Sequence, residues 1–380
     1  MARRAFIKNR FICLKSPDLP RIVFTVTNDL SYDQRMIRIC SSLAENGYDV
    51  LLVGRKRRSS IPLTEKTFRQ KRLNCWFDTG ALFYAEFNIR LFLFLLTRKA
   101  DALCAIDLDT ILPVLYISRL KKINRIYDAH ELFCEMKEIV SRPRIYAIWK
   151  MIERHTVPAF KHGYTVNGPI AGEFRKMYGV DYAVIRSMAR YDGTAPEPVR
   201  DHYILYQGAV NEGRCFETLI PAMQWVDAPL HICGDGNFMN RAKDLVRQYG
   251  LESKIIFHGL LPPEELKPIT RKARIGLTLF EPGARSNYFS LANRFFDYIQ
   301  AGVPQLCVDY PVYRELNNLH QVAVLITDLS ARSIADSINQ MLQNEQEWIT
   351  MKDHCISAAK ELNWQSEEKK LLSFYRKLIG

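Results

Sequence analysis

Three segments in the second half of the 380-residue chain set glycines and arginines where a strand hands over to a helix. The longest is FEPGARSNYFSLANRFFDYIQAGVP, Phe280 to Pro304. Its apolar positions Leu291, Phe295, Phe296 and Ile299 recur at helical spacing, Ser290 is the expected N-cap, and Gly302 suits the helix exit. The amides of that first turn, from Leu291, would carry partial positive charge and suit phosphate oxygens. Arg294 adds a guanidinium able to hold a phosphate through two N–H groups. Asp297 follows on the same expected face as Asn293 and Arg294, where a carboxylate behind a phosphate site can accept hydrogen bonds from a ribose diol. A surface Arg294–Asp297 ion pair is the plainer alternative.

The second segment, LYQGAVNEGRCFETLI, contains Gly208 and Gly213, which allow close backbone approach. Arg214 opens its helix, an unfavourable place for a cation unless an anion joins it, and would be a second cation for a diphosphate. The third, HICGDGNFMN, sets Gly234 and Gly236 after an apolar strand, although an ordinary turn explains a lone GDG equally well. His258, at the end of KIIFHG, is placed with the same donor-side set. All of these end strands of one half of the chain, so together they outline a single nucleotide-diphosphate site.

In the first half, IYDAHELF ends a strand and delivers His130 to its edge. The imidazole could bond a sugar hydroxyl there while Glu131 orients it; a His–Glu pair that only caps the next loop is the alternative. Asn28, Asp33 and Arg35 stand at the first strand-to-helix turn, where polar side chains can reach a ligand. Asp107 and Asp109 spell DLD, a spacing associated with metal-bound sugar nucleotides in a different fold. Thr110 and Pro113 follow, so Asp109 reads more simply as an N-cap, and no metal site is expected.

The elements needed to position these residues are legible as alternation. RIVFTVT leads to SYDQRMIRICSSLAENG, with Ser31 and Gln34 as a capping box and Gly47 at the exit, and then to YDVLLVG. ADALCAI, NRIYDA, GYTVN and YAVIRS continue the strands, and after the Pro-containing stretch YDGTAPEPVRD the pattern restarts with HYILYQG and runs through VAVLI. This predicts an α/β chain of two Rossmann-like, doubly wound parallel-sheet domains facing a central cleft. The expected boundaries are 1–190 for the acceptor-side domain, 191–201 for the linker and 202–362 for the nucleotide-sugar domain, with a helix in 363–380 packing back on the first domain.

Composition narrows the partners. Lys and Arg number 53 against 41 Asp and Glu, a formal charge of +12 that favours anionic partners. The nine cysteines form no CxxC pair and read as reduced core thiols, which with the absence of a secretory signal points to the cytoplasm. The apolar run from Ala81 to Thr97 contains Glu86, Asn88 and Arg90 and is expected to be a core or interfacial helix rather than a membrane span.

Taken together, VTNDLSYDQRM, YDAHELF, YQGAVNEGR, CGDG and SLANRFFDYIQAGVP resemble the retaining GT-B glycosyltransferases of the family-4 type, from Arg21 to the C-terminus. The resemblance implies transfer of a sugar from a nucleotide-diphosphate donor with retained configuration, no metal and no other cofactor. By similarity Arg214 holds the diphosphate, Arg294 is a second cation, Asp297 binds the ribose, Glu281 and His130 meet the donor sugar, and Asn28, Asp33, Arg35 and Glu131 are the candidates for acceptor binding. Two departures stand out. Fifteen residues separate Glu281 from Asp297, more than is usual for that acid pair, and Ala209 replaces the usual arginine of the first turn, so Arg294 would supply the missing cation. The expected partners are a nucleotide-sugar and a glycan or lipid-linked acceptor in cell-surface polysaccharide or glycolipid synthesis, on the cytoplasmic side, with peripheral contact to an anionic membrane left open and no nucleic acid. A sugar-nucleotide epimerase and a non-enzymatic basic scaffold for nucleic acid or membrane are the competing readings.

Overall fold

The computed structural model describes residues 19–31, 33–58, 60–193 and 202–379. The basic N-terminus through residue 18, including Cys13, and most of the expected linker lie outside the described residues.

The first sheet is built from β1 (Arg21–Thr25), β2 (Asp49–Lys56), β3 (Arg69–Asn74), β4 (Ala102–Ile106), β5 (Asn124–Ala129), β6 (His162–Thr165) and β7 (Ala183–Val184). Their order is β3-β2-β1-β4-β5-β6-β7, and every pairing is parallel. The second sheet contains β8 (Ile204–Gln207), β9 (Leu230–Cys233), β10 (Ile255–Gly259), β11 (Ile275–Thr278), β12 (Gln305–Val308) and β13 (Ala323–Ile326) in the order β10-β9-β8-β11-β12-β13, again all parallel. Parallel sheets are covered by helices on both faces, which is why β4 and β11 are buried along their whole length and read as unbroken apolar runs. These are the two Rossmann-like domains of a GT-B fold.

In each sheet the strand order reverses once, between β1 and β4 and between β8 and β11. Turns at the carboxyl ends of these strands diverge there and leave a crevice for ligands. Asn28, Asp107 and His130 follow β1, β4 and β5, whereas Gly208, Gly234 and Glu281 follow β8, β9 and β11. The candidate residues therefore gather at the switch points of both sheets.

The last helix, Trp364–Ile379, packs on the first domain. Trp364 Nε1 donates to Ser42 Oγ at 2.9 Å, Tyr375 Oη lies 3.3 Å from Tyr164 Oη, and the Arg186 amide donates to Glu367 at 2.8 Å. The described cysteines are all free, and all but Cys75 are buried. Two local expectations are corrected. The Gln34–Glu45 helix is capped by Asp33, whose carboxylate accepts from the Met36 amide at 3.0 Å, because Ser31 sits too early in the turn and instead accepts from Arg72. Asp109 does not cap the Ile111–Lys121 helix; it lies in a 3-10 turn and accepts from the Thr27 hydroxyl.

Candidate active site

The second-domain side of the cleft is built on two turns that touch. A Cβ on Gly234 would sit 1.8 Å from the Gly208 carbonyl oxygen, and one on Gly236 would sit 2.2 Å from Asn211 Oδ1 and 2.4 Å from the Val210 carbonyl oxygen. Both positions need glycine so that the turns after β8 and β9 can nest. Gly208 itself has φ +121°, a value open to glycine and strained for other residues.

Beneath Gly208 lies Arg294, 7% exposed. Its Nη1 donates to Tyr206 Oη at 3.1 Å and to the Gln207 carbonyl at 3.2 Å, while Nε and Nη2 are buried with no hydrogen-bond partner among the described residues. Arg214 donates to Asn287 Oδ1 at 2.9 Å. Both guanidiniums lie against the Phe280 ring, at 4.4 Å for Arg214 and 4.8 Å for Arg294. Burial, then the repulsion of Arg294, pulls the Arg214 pKa down. No ion pair with a carboxylate joins either arginine among the described residues. Two cations with neutral partners and unused N–H groups form a place for an anion.

The helix that carries Arg294 begins at Asn293, with Ala292 at the cap position. Ser290 is not its cap: the hydroxyl donates to the Asn287 carbonyl at 2.8 Å, because the chain makes one more turn before the helix starts. Leu291 is buried in the core of the second domain. The side chains of Arg294 and Asp297 part company, Arg294 turning inward and Asp297 facing a pocket of about 440 Å³ between the domains. Gln34 and Arg38 line that pocket from the first domain, Gln207, Asn293 and Asp297 from the second. Gln207 Nε2 donates to Asp297 Oδ2 at 3.1 Å. Burial pushes the Asp297 carboxyl up to about 6, held down in part by Arg38 on the facing domain.

The first-domain side of the cleft centres on His130. Its Nδ1 is 3.3 Å from Asp107 Oδ2, its Nε2 is 3.2 Å from Asp128 Oδ2, and its amide donates to Asp107 Oδ1 at 2.9 Å. Burial favours the neutral ring, but the two carboxylates more than reverse this and raise its pKa to about 9. His130 is thus an imidazolium at neutral pH. Glu131 does not orient it; that side chain crosses to the second domain and accepts from Ser286 Oγ at 3.1 Å. Arg35 is not an acceptor ligand either. It is buried, donates to Asp128 Oδ1 at 2.8 Å and to the Ile185 carbonyl at 3.1 Å, and holds the carboxylate that holds His130. Asn28 remains exposed and donates to Asp33 Oδ2 at 3.1 Å.

Glu281 reaches across the domain gap to Lys137, with Nζ at 3.0 Å. His258 lies apart from the arginines, on edge strand β10 with its ring 4.9 Å from that of His231. Sequence reasoning gave no role to Asp128, Lys137, Gln207, Asn287 and Arg38, nor to Asp107, whose DLD motif it set aside as a metal site. Of these only Asp128, inside IYDAHELF, and Arg38, one helical turn after Gln34, carried a local signal.

With this geometry in place, the comparisons are informative. Residues 190–362 match the family Glycosyl transferases group 1. No curated protein sequence matches the chain. Among solved structures, a sucrose-phosphate synthase from Thermosynechococcus elongatus is similar with a TM-score of 0.76 at 16% identity, over 94% of this chain and 99% of that one. Anabaena HepE in complex with UDP and glucose gives 0.75 at 12% identity, over 94% and 100%. WaaG, a glycosyltransferase involved in lipopolysaccharide biosynthesis, gives 0.72 at 14% identity, over 94% and 100%. At such identities the likeness is one of fold. Residues 190–362, which carry the paired arginines and Asp297, thus match the model of the glycosyl transferases group 1, and the chain as a whole has the GT-B fold of these solved structures.

Proposed function

We propose that the protein transfers a sugar from a nucleoside-diphosphate donor to an acceptor hydroxyl, with retention at the anomeric carbon and without a metal ion. The observation that carries this reading is the arginine pair at the Gly208 turn, two guanidiniums whose hydrogen-bond partners among the described residues are all neutral. Negative charge grows on the diphosphate as the glycosyl bond breaks, and fixed cations beside it stabilise that charge. Arg294 Nη1 lies 3.0 Å from where a Gly208 Cβ would stand, so its charge serves the turn in which Ala209 offers none.

Asp297, with Gln207, is placed to accept from the ribose hydroxyls. The His130 imidazolium, both of its N–H groups turned to Asp107 and Asp128, lends positive charge to the donor-sugar side of the cleft rather than a hydrogen bond, and Asn28 and Asp33 border the space left for the acceptor. The acceptor hydroxyl attacks from the face the diphosphate leaves, and a phosphate oxygen takes its proton. Engagement of the nearby carboxylates supports this route over a covalent one: Glu281 is bound to Lys137, Glu131 to Ser286 and Asp107 to His130. A glycan or lipid-linked acceptor in cell-surface polysaccharide or glycolipid synthesis on the cytoplasmic side completes this reading; WaaG, of similar fold, is a glycosyltransferase involved in lipopolysaccharide biosynthesis, which supports the cell-surface role.

The test is a panel of UDP-, GDP- and ADP-hexoses with oligosaccharide and polyprenyl-phosphate-sugar acceptors in the presence of EDTA, with product configuration read by NMR. Consumption of one donor with retained configuration is expected. An inverted product, or a strict need for added metal, would overturn the mechanism. Conversion of donor to its epimer without acceptor would replace transfer by epimerisation.

A further inference from the structure

The Gly80–Leu96 helix is apolar on two opposite sides. Phe83, Phe87, Leu91 and Leu95 form the stripe buried against the sheet. Leu82, Ala85, Ile89, Leu93 and Leu96 repeat at the same spacing on the other side and face solvent, with Leu82 61%, Ile89 62% and Leu93 58% exposed. A surface helix needs one apolar stripe to join a core, so a second stripe opposite the first calls for a second apolar partner.

The neighbouring helices extend this surface. Ile111–Lys121 packs against Gly80–Leu96, and Pro143–Thr156 packs against Ile111–Lys121. Leu120 on the first, and Ile148 and Met151 on the second, are exposed. On the outer side Tyr116 Oη meets His155 Nε2 at 3.2 Å. Trp76, 81% exposed, lies beside the same surface under the Arg90 guanidinium, 4.7 Å from its ring. The charge on this face is predominantly positive, with the exposed Asp78 and Asp101 at the helix ends bound to Arg58 and to the Arg21 amide. Arg98, Lys99, Arg119, Lys122, Arg144 and Arg154 are exposed along the three helices and their ends. Their acids are already engaged, Glu86 with Arg90 at 2.7 Å and the buried Glu153 with Lys150 at 2.7 Å.

We propose that the outer face of these three helices is a docking surface for an anionic lipid bilayer. Aliphatic side chains can enter the acyl boundary while the flanking Lys and Arg meet the headgroups. A second copy of the chain fits poorly, because a two-fold contact through this face would set its cations against themselves. Single-stranded nucleic acid fits poorly as well, since leucine and isoleucine offer bases nothing to stack on. The helices run antiparallel to the strands, so their N-terminal ends adjoin the strand ends that carry His130, and docking leaves the cleft open at the rim of the membrane. This inference stands independently of the donor chemistry.

The experiment is sedimentation of the full chain with vesicles of phosphatidylcholine alone and of phosphatidylcholine with phosphatidylglycerol. Pelleting is expected with the anionic vesicles and not with the neutral ones. It should fall about tenfold or more in Ile89→Glu/Leu93→Glu and, separately, in Arg119→Glu/Lys122→Glu. Both pairs are exposed, so thermal unfolding should stay close to wild type. Wild-type protein that remains in the supernatant with anionic vesicles, or pelleting that neither pair reduces, overturns the proposal. A dimer in solution that Ile89→Glu/Leu93→Glu dissociates, with no vesicle binding, would assign the face to a second copy instead.

Discussion

Removing the imidazolium of His130 should change how stability depends on pH, not only how much stability there is. In the folded chain the ring lies between Asp107 and Asp128, at 3.3 and 3.2 Å, and its pKa rises from an ordinary 6.5 to about 9 against the opposing effect of burial. At roughly 1.4 kcal/mol for each pH unit, that difference is worth about 3 kcal/mol. The folded protein holds this proton more tightly than the unfolded chain, so the contribution is complete below pH 6.5 and is lost as pH rises through about 9. Asp107, pushed up by burial to about 7, acts in the same direction at lower pH, because the folded state retains a proton there that the unfolded state has released. His130→Gln keeps a polar side chain of similar reach and cannot carry the charge. Urea unfolding of both proteins at pH 6, 7.5 and 9.5 should show the wild-type advantage shrinking by about 3 kcal/mol across the series. Two profiles that run parallel would refute the claim that His130 is held as an imidazolium by the two carboxylates.

Three other perturbations probe the donor side. Arg294→Met removes a buried charge that has no carboxylate ion-pair partner among the described residues while keeping much of its packing, so the unfolding temperature should change little as nucleoside-diphosphate affinity falls by about tenfold or more; a large loss of stability measured by calorimetry would mean the guanidinium is structural. Asp297 has its carboxyl raised by burial to about 6, so donor affinity, followed by titration between pH 7.5 and 5, should weaken as the carboxyl takes up a proton. Asp297→Asn should flatten that dependence, and an unchanged slope would remove the residue from ribose binding. Gly234→Ala places a Cβ 1.8 Å from the Gly208 carbonyl oxygen and should unfold or badly destabilise the second domain, whereas Gly179→Ala, at φ +65° with open space around it, should cost about 1 kcal/mol in denaturant unfolding. Equal effects at the two glycines would contradict the nested-turn account.

What the sequence revealed, and what it hid, follows from where each residue's partners lie. Strands such as β4 and β11 are buried on both faces and announce themselves as unbroken apolar runs. Edge strand β3, with the sequence RQKRLN, shows no such run because most of it faces solvent, and it was missed. Arg214 and Arg294 were visible because their signal is local, a cation at a strand-to-helix turn. Arg35 was misread, and Asp107 left without a role, because their partners are remote: Arg35 binds Asp128, 93 positions away, and Asp107 binds His130, 23 positions away. The contacts across the domain gap, such as Lys137 with Glu281, join residues 144 positions apart, and a pattern of spacing along one element carries no trace of them. Caps were misplaced at Ser31 and Ser290 for a related reason. Several polar residues precede each helix, and the fold of the turn, rather than the residue type, decides which one reaches the free amides.

The central claim is that the paired arginines at the Gly208 turn bind the diphosphate of a nucleotide donor. Isothermal titration of UDP, GDP and ADP into the full chain in EDTA, repeated with Arg214→Ala and Arg294→Met, tests it most directly. One of the three nucleotides should bind in the wild type, and each substitution should weaken that binding about tenfold or more. Binding that survives both substitutions unchanged, or no binding of any nucleoside diphosphate, would contradict the account.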